Sequence, residues 1–340
     1  MTTYLLIFAA ALVITAIATP IARRVAPSVG MLDQPEARKM HAAPVPLLGG
    51  VCMYAAFLVA LLVFSDRLNL PEFFGILIGA TAVSVLGVWD DRRRLRPMVK
   101  LGGQVLAAIF LASSGTQVLL FSDPLLNYAI TVIWVVAITN SLNLLDNMDG
   151  LSGGVAAVAS SFFLVLALLN GQYLVASLSA ALLGACLGFL RYNFNPASIF
   201  MGDGGSLFIG FILAAVGVRL RFPDHATVVT WMVPVFVLGV PMFDTLLVVV
   251  SRLRRGLNPL TTPGKDHLSH RLVALGLSQR QSVLLIYAIC CVLGLTAAAI
   301  PFSGPIIAYG AIGVAIVLST AAIIRLEKVN YGQLSPPLDC

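Results

Sequence analysis

The feature that most constrains the fold of this chain is a series of long apolar stretches separated by short polar segments. A helix needs about 20 mostly apolar residues to cross the hydrocarbon core of a bilayer. Eleven stretches approach or reach this length: residues 4–22, 47–64, 72–89, 98–114, 125–140, 152–169, 173–190, 205–220, 228–250, 282–300 and 305–324.

Composition supports the same conclusion. Only 11% of the 340 residues are charged and the mean hydropathy is +0.96, whereas soluble domains contain roughly 25% charged residues. The sequence therefore predicts an all-α polytopic membrane protein with about eleven transmembrane helices. We expect a single integral-membrane domain over residues 1–340, with the lipid bilayer as a partner and no nucleic acid.

The distribution of lysine and arginine predicts the orientation of these helices. Cytoplasmic loops carry an excess of both residues, and 18 of the 21 lysines and arginines fall on one set of loops and tails. We therefore expect the chain in the cytoplasmic membrane. Its N-terminus would lie outside the cell and its C-terminus in the cytoplasm. The same assignment puts five aspartates on the cytoplasmic side, although none was used to make it: Asp90, Asp91, Asp146, Asp149 and Asp203. One miscounted span would separate them.

A pair of carboxylates, Asp90 and Asp91, closes the third apolar stretch and precedes a run of arginines. In one interpretation the arginines anchor the helix end and the acids pair with them. In the other, two adjacent carboxylates hold Mg²⁺ or accept a proton from an incoming phosphate. The pair alone leaves both interpretations open.

The polar segment 140–151 carries amides and carboxylates every three residues, at Asn140, Asn143, Asp146 and Asp149. This spacing places them along one side of a helix end or tight turn. Such a stripe suits the binding of a cation through oxygen ligands, and the glycines that follow could expose helix N–H groups to a phosphate. A stripe satisfied by neighbouring helices is the alternative.

Asp203 lies among glycines in the loop 191–206, where the backbone can approach a ligand closely. A simple capped turn is the alternative. Since the loop precedes the eighth stretch, Asp203 is expected near the start of a helix.

Two histidines three residues apart, His267 and His270, lie in the last large cytoplasmic loop. No further ligands stand at the spacing of a structural zinc site. Lys265 and Arg271 beside them favour a diphosphate over a transition metal, and a solvated loop is the alternative.

Three more polar residues leave two interpretations each. Lys39 and His41, in the first cytoplasmic loop, can reach an anion or belong to an ordinary positive-inside loop. Asp244 lies inside the ninth stretch, about 12 Å from its cytoplasmic end. It is either the floor of a site or a hydrogen-bonding partner between helices.

Five ordered motifs resemble the polyprenyl-phosphate N-acetylhexosamine-1-phosphate transferases, bacterial membrane enzymes that initiate the lipid carriers of cell-wall and surface glycans. The resemblance spans nearly the whole chain. The motifs are the RKxH…PxPxxGG loop (38–50), DDxxxLRP (90–97), NxxNxxDxxDGL (140–151), NxxPAxxFMGDxGS (193–206) and the histidine loop (267–271).

The resemblance implies transfer of a sugar 1-phosphate, N-acetylglucosamine 1-phosphate in the first instance, from a UDP-N-acetylhexosamine to undecaprenyl or decaprenyl phosphate, with release of UMP. It implies Mg²⁺, or Mn²⁺ in its place, and leaves a homodimer open. Asp146 and Asp203 are expected to bind the metal, and Asp90, Asp91 and Asp203 to serve catalysis. The substrate-binding candidates are Lys39, His41, Asn140, Asn143, Asp149, His267, His270 and Arg271.

The chain departs from the family pattern at two positions. Asn147 stands where glycine is usual, which we attribute to the tolerance of asparagine for left-handed backbone. Ser269 replaces the middle histidine of an HxHH loop. The run of histidines typical of the phospho-N-acetylmuramoyl-pentapeptide transferases is absent, so that branch is the alternative.

Two rivals belong to other classes. A secondary transporter would place its ionisable residues near the bilayer midplane, where only Asp244 is expected here. The CDP-alcohol phosphotransferases share an Asp-Gly pair, as in Asp149-Gly150, but the arginine of their motif is missing.

Overall fold

The computed structural model describes residues 1–34, 44–64, 70–223, 225–259, 261–262 and 264–329. Lys39 and His41 lie outside these ranges. The described helices are α1 (Thr2–Val25), α2 (Gly49–Phe64), α3 (Leu70–Arg93), α4 (Pro97–Ser113), α5 (Pro124–Leu145), α6 (Leu151–Leu169), α7 (Tyr173–Asn193), α8 (Gly202–Arg219), α9 (Thr227–Thr230), α10 (Met232–Val237), α11 (Gly239–Arg254), α12 (Leu268–Ala274), α13 (Gln279–Ala299) and α14 (Pro305–Leu326). A 3₁₀ turn, Ile300–Phe302, follows α13.

The predicted all-α polytopic architecture is confirmed. Each of the eleven apolar stretches falls on helix, and eight helices in the described ranges are long and apolar enough to cross a membrane. Two more, α2 and α4, are apolar but have only 16 and 17 residues. The number of spans and the side on which each terminus lies stay predictions.

The predicted ninth span, 228–250, is wrong as a single straight helix. It consists of α9 and α10 followed by α11, with a bend of 70° between the two parts. The helix breaks at Leu238, one residue before Gly239. Pro241 has no N–H with which to donate to the carbonyl of Val237, and glycine is a weak helix former, so continuing the helix here is unfavourable.

Helix α8 lies at the centre of the molecule and is the most buried of the long helices. It packs against α2, α3, α5, α6 and α7. Its side chains Phe208, Phe211 and Ile212 are fully buried. By contrast Ala308 is the one buried residue of α14, and most of its other side chains are exposed, as expected for a helix that faces lipid chains.

Glycines bring the first turn of α8 into backbone contact with its neighbours. A Cβ atom on Gly87 of α3 would lie 2.3 Å from the carbonyl oxygen of Asp203. A Cβ atom on Gly50 of α2 would lie 2.2 Å from the amide nitrogen of Gly205. No larger residue fits at these crossings without displacing a helix. The glycines therefore let the start of α8 lie close to α2 and to the end of α3.

The ends of α3 and α5 lie against the starts of α4 and α8, where Lys100 contacts Asp90, Asn143 and Asp203. The end of α7 lies against the start of α6, where the side chain of Asn193 accepts from the amide of Gly150 at 3.0 Å. A short antiparallel hairpin lies at the same end of the bundle, formed by β1 (Leu32–Asp33) and β2 (Val45–Pro46), with Leu32 opposite Pro46. The amide of Phe200 donates to the carbonyl of Pro46 at 2.8 Å. The described part of the first loop is therefore fixed to the loop that carries Asp203.

Candidate active site

A cavity of about 740 Å³ opens at this end of the helices. Residues of the hairpin, of the sequence motifs and of the segments next to them line it. They are Asp33, Val45, Leu47, Asp90, Asp91, Arg94, Asp146, Asn147, Met148, Asp149, Asn193, Asn195, Pro196, Ala197, Phe200, Gly202, Asp203, Gly264, Lys265, His270 and Gln279. The five aspartates that the sequence places on one face therefore share one cavity.

Lys100, in the first turn of α4, connects three of the polar segments. Its ammonium group lies 3.0 Å from a carboxylate oxygen of Asp90 and forms a very short ion pair with Asp203. It also donates to the side-chain oxygen of Asn143 at 2.9 Å. Asn143 in turn donates to Asp203 at 2.8 Å and to the hydroxyl of Ser206 at 2.8 Å. One cation thus connects the last turns of α3 and α5 to the first turn of α8.

Asp91 caps the start of α8. One of its carboxylate oxygens accepts from the amide of Asp203 at 2.8 Å and the other from the amide of Gly204 at 3.1 Å. Unpaired N–H groups and the helix dipole make a helix N-terminus favourable for negative charge. Gly202 adopts a φ of +68°, and a Cβ atom there would lie 2.5 Å from Asp91. The approach of the carboxylate therefore requires glycine at this position.

The turn between α5 and α6 holds Asp146 and Asp149 at the cavity. Asp149 accepts from the side-chain amide of Asn195 at 3.0 Å and from the backbone amide of Ala197 at 2.9 Å. Asp146 follows the last residue of α5. Burial, and then the negative charges of Asp203, Asp91 and Asp149, raise the pKa of Asp146 well above its usual range. A carboxyl group in this position favours a cation or a proton beside it.

The histidine loop, residues 267–271, lines the cavity through His270 and is hydrogen-bonded to Asp244 of α11. Nδ1 of His267 lies 2.8 Å from one oxygen of Asp244, and the amide of Leu268 donates to the other at 2.7 Å. Asp244 thus supports the segment and is not itself a lining residue. Burial, followed by the positive charges of His267 and Lys265, lowers the pKa of His270 to about 4. His270 is therefore neutral near pH 7 and can offer one donor and one acceptor.

Arg271 is buried and bonded to other protein groups, which does not agree with the predicted phosphate-binding role. Its guanidinium is 0% exposed. It donates to the carbonyls of Asp266 at 2.9 Å and Leu326 at 2.6 Å, and pairs with Glu327 at 2.8 Å. These contacts tie α12 to the end of α14.

Asp266 anchors the same loop through arginine. It accepts from Arg252 at 3.0 and 3.1 Å and from Arg255 at 2.7 Å. Burial alone would raise the pKa of Asp266, but the bonds from Arg252 outweigh it and lower the pKa below its usual value. The loop is fixed by ion pairs that do not involve the cavity.

Asn147 does not have the left-handed backbone that we expected. Among the residues that the structure describes, Arg94 alone combines a side chain with positive φ. The Asn147 side chain instead accepts from the hydroxyl of Ser269 at 2.6 Å. The two positions that depart from the family pattern are in direct contact.

Comparison with known proteins identifies the family. The family model described as "Glycosyl transferase family 4" matches residues 73–221. A Bacillus subtilis (strain 168) protein named "Probable undecaprenyl-phosphate N-acetylglucosaminyl 1-phosphate transferase" is 38% identical over 291 residues, covering 83% of this chain and 80% of the relative. The chain belongs to the polyprenyl-phosphate N-acetylhexosamine-1-phosphate transferase family.

Two further relatives of this transferase family agree. A "Decaprenyl-phosphate N-acetylglucosaminephosphotransferase" of Mycolicibacterium smegmatis is 34% identical over 345 residues, covering 91% of this chain and 85% of the relative. An "Undecaprenyl-phosphate alpha-N-acetylglucosaminyl 1-phosphate transferase" of Escherichia coli (strain K12) is 28% identical over 283 residues, with coverages of 78% and 75%. The chain is thus a phospho-sugar transferase and a multi-pass membrane protein, and the transporter interpretation is not supported.

The predicted site residues fall into three groups in the structure. Those lining the cavity are Asp90, Asp91, Asp146, Asp149, Asp203 and His270. Two lie behind the lining: Asn143 bonds to the lining residue Asp203, and His267 bonds to Asp244, which also holds the amide of Leu268. Those turned to other partners are Arg271 and Asn140. Asn140 bonds to Gln104 at 2.5 Å and to the carbonyl of Val136 at 2.8 Å.

Sequence analysis missed Lys100, Gln104, Asn195 and Gln279 as site or supporting residues. Lys100 and Gln104 stand four residues apart on an otherwise apolar helix, which places them on one face. That spacing is the signal from which the polar face of α4 could have been predicted.

Proposed function

We propose that this chain transfers N-acetylglucosamine 1-phosphate from a UDP-sugar to a polyprenyl phosphate at the cytoplasmic membrane, releasing UMP. The observation that carries the proposal is the single cavity at one end of the bundle, in which aspartates from three motifs and His270 from a fourth meet. The names of the relatives supply the sugar phosphate and the prenyl acceptor.

The position of the cavity fits an acceptor that is half lipid. Polyprenyl phosphate keeps its chain in the bilayer and its phosphate at the surface, and the cavity lies where helices end. The distribution of basic residues assigns this end to the cytoplasm, where UDP-sugars are available.

The chemical obstacle is the approach of two anionic phosphates. One phosphoanhydride replaces another, so the protein has mainly to position the reactants and reduce their repulsion. Lys265 lines the cavity and Lys100 lies among its aspartates. These cations favour bound phosphates. The amides of Asn195 and Gln279 can bond the uracil or the sugar hydroxyls.

We further propose Mg²⁺, with Mn²⁺ as a substitute, held by Asp146 and Asp203. In the described ranges, no three carboxylate, histidine or cysteine side chains are grouped closely enough to hold a metal on their own. This fits magnesium, which is commonly bound by one or two carboxylates together with substrate phosphates and water. When bound, the ion would neutralise the diphosphate and the charge that develops during transfer.

Product analysis tests the reaction. Purified protein in detergent is incubated with UDP-N-acetylglucosamine, undecaprenyl phosphate and Mg²⁺. We expect one UMP per molecule of sugar lipid formed. Release of UDP in place of UMP would show ordinary sugar transfer and reject the proposed reaction.

Removal of the metal tests the cofactor. EDTA should abolish UMP release, and Mg²⁺ or Mn²⁺ added in excess should restore it. D146N should require a higher Mg²⁺ concentration for half-maximal activity, because one of its two protein ligands is lost. A D146N protein with the parent's Mg²⁺ dependence would remove Asp146 from the metal site.

A further inference from the structure

The contact between Asn147 and Ser269 connects two distant parts of the chain at the edge of the cavity. The hydroxyl of Ser269, which is 1% exposed, donates to the side-chain oxygen of Asn147 at 2.6 Å. The side-chain nitrogen of Asn147 donates to the carbonyl of Leu144 at 2.9 Å. One asparagine therefore links the last turn of α5 to the first turn of α12.

Both ends of this link are next to cavity-lining groups. Asp146, Asn147 and Asp149 line the cavity from the turn after α5, and His270, the neighbour of Ser269, lines it from α12. A change in the length of the link would move His270 relative to the two aspartates. The link thus connects two walls of the cavity.

The chemistry of these walls indicates which substrate they face. Near the turn the polar part of the lining consists of carboxylates and amides, Asp146, Asp149, Asn193, Asn195 and Gln279, with Met148, Pro196 and Ala197 beside them. Such groups hydrogen-bond to a nucleotide base and to sugar hydroxyls, whereas a prenyl chain needs an apolar surface. This part of the cavity suits the soluble donor better than the lipid acceptor.

We propose that Asn147 and Ser269 are a pair of positioning residues that fix the donor-binding width of the cavity, and so determine how well the sugar nucleotide fits. The proposal rests on the proposed function, because it assumes that a sugar nucleotide occupies the cavity.

The backbone gives no competing reason for asparagine at position 147. Its φ is not positive, so the turn does not demand glycine or asparagine on conformational grounds. Its side chain is explained by the two bonds that it makes.

A double-mutant cycle tests the pair. We expect S269A to raise the KM for UDP-N-acetylglucosamine about fivefold, the effect of losing one hydrogen bond. N147A should raise it further, since it also loses the bond to Leu144. The double variant should be no worse than N147A, because both changes remove the same contact. S269T, which keeps the hydroxyl, should stay within about twofold of the parent.

If the bond between Asn147 and Ser269 only stabilised the fold, its loss would not act on the donor KM alone. The KM for undecaprenyl phosphate and kcat should change less than about twofold in S269A. The matched control is T245V, which removes another hydroxyl bond to α5, from Thr245 to Ser141 at 2.9 Å, between residues that do not line the cavity. Its donor KM should equal that of the parent.

The outcomes separate this proposal from the proposed function. A parent protein that releases no UMP with this donor and acceptor contradicts the proposed function. An active parent in which S269A leaves the donor KM unchanged, or in which the two single changes add, overturns the pair alone. Partial unfolding does not confuse the result, because KM does not depend on the concentration of active protein.

Discussion

At the scale of single residues, Lys100 is the cation around which the aspartates are arranged. It contacts Asp90, Asp203 and Asn143, and its side chain is largely buried. Removing one partner from a buried ion pair leaves the other charge uncompensated. The shape of the cavity is therefore expected to depend on this lysine more than on the exposed arginines of the same face.

We predict that K100M lowers the rate of UMP release at least about 100-fold, the size expected when one fixed electrostatic group of an active site is lost. R254M is the matched control, because Arg254 is 65% exposed and its guanidinium lies 3.8 Å from the carboxylate of Glu327. It should stay within about twofold of the parent. A K100M protein with more than a tenth of the parent's rate would mean that Lys100 is dispensable.

Lys100 and Arg271 show where sequence reasoning about single residues stops. A lysine at the start of an apolar stretch has the same appearance as an anchor of the positive-inside type. An arginine beside two histidines suggests a phosphate ligand. What distinguishes them is tertiary: Asp90 and Asp203 surround Lys100, while Leu326 and Glu327 from the end of α14 enclose Arg271. The sequence places none of these partners next to the residue that they bind.

At the scale of helices, the crossing of α3 and α8 determines the site. Gly87 lets the two backbones touch, and Asp91, one turn further along α3, then reaches the first amides of α8. A wider crossing would separate Asp91 from Asp203. The geometry of the candidate site therefore depends on a residue with no side chain.

We predict that G87A destabilises the protein by about 1–3 kcal/mol, the usual cost of overpacking, and lowers activity. The Cβ atom would lie 2.3 Å from backbone, which cannot rotate away. G102A is the control, because a Cβ atom on this exposed glycine of α4 would meet nothing within 4 Å, and alanine favours helix. The measurement is thermal unfolding in detergent. Equal melting temperatures for G87A and G102A would contradict the close crossing.

Hydropathy predicts helices well and their bends poorly. The eleven apolar stretches correspond to helical segments because length and apolarity alone are needed for a span. The 70° bend between α10 and α11 escaped prediction, since its residues are as apolar as those of a straight helix. Gly239 and Pro241 were the available signal, but proline and glycine also occur within straight membrane helices.

At the scale of the whole molecule, the polar segments come together at one end of the helices. Sequence alone predicted this convergence, because the basic residues fixed which segments share a face. It could not predict the size of the cavity, about 740 Å³, or the full set of residues that line it, since the packing of α8 among its neighbours is set by contacts between distant residues. The family comparisons give the class of reaction, and the cavity is the place in the fold where we propose that it occurs.

The most direct test of the account follows the phosphate. The donor carries ³²P in the phosphate attached to the sugar and ³H in the sugar, and the organic phase is counted after incubation with undecaprenyl phosphate. D203N is compared with D123N, in which asparagine replaces the aspartate that caps α5 and remains a good cap. We predict that both labels enter the lipid in the donor's ratio with the parent and D123N, and that neither does with D203N. Tritium in the lipid without ³²P, or full activity of D203N, would contradict the account.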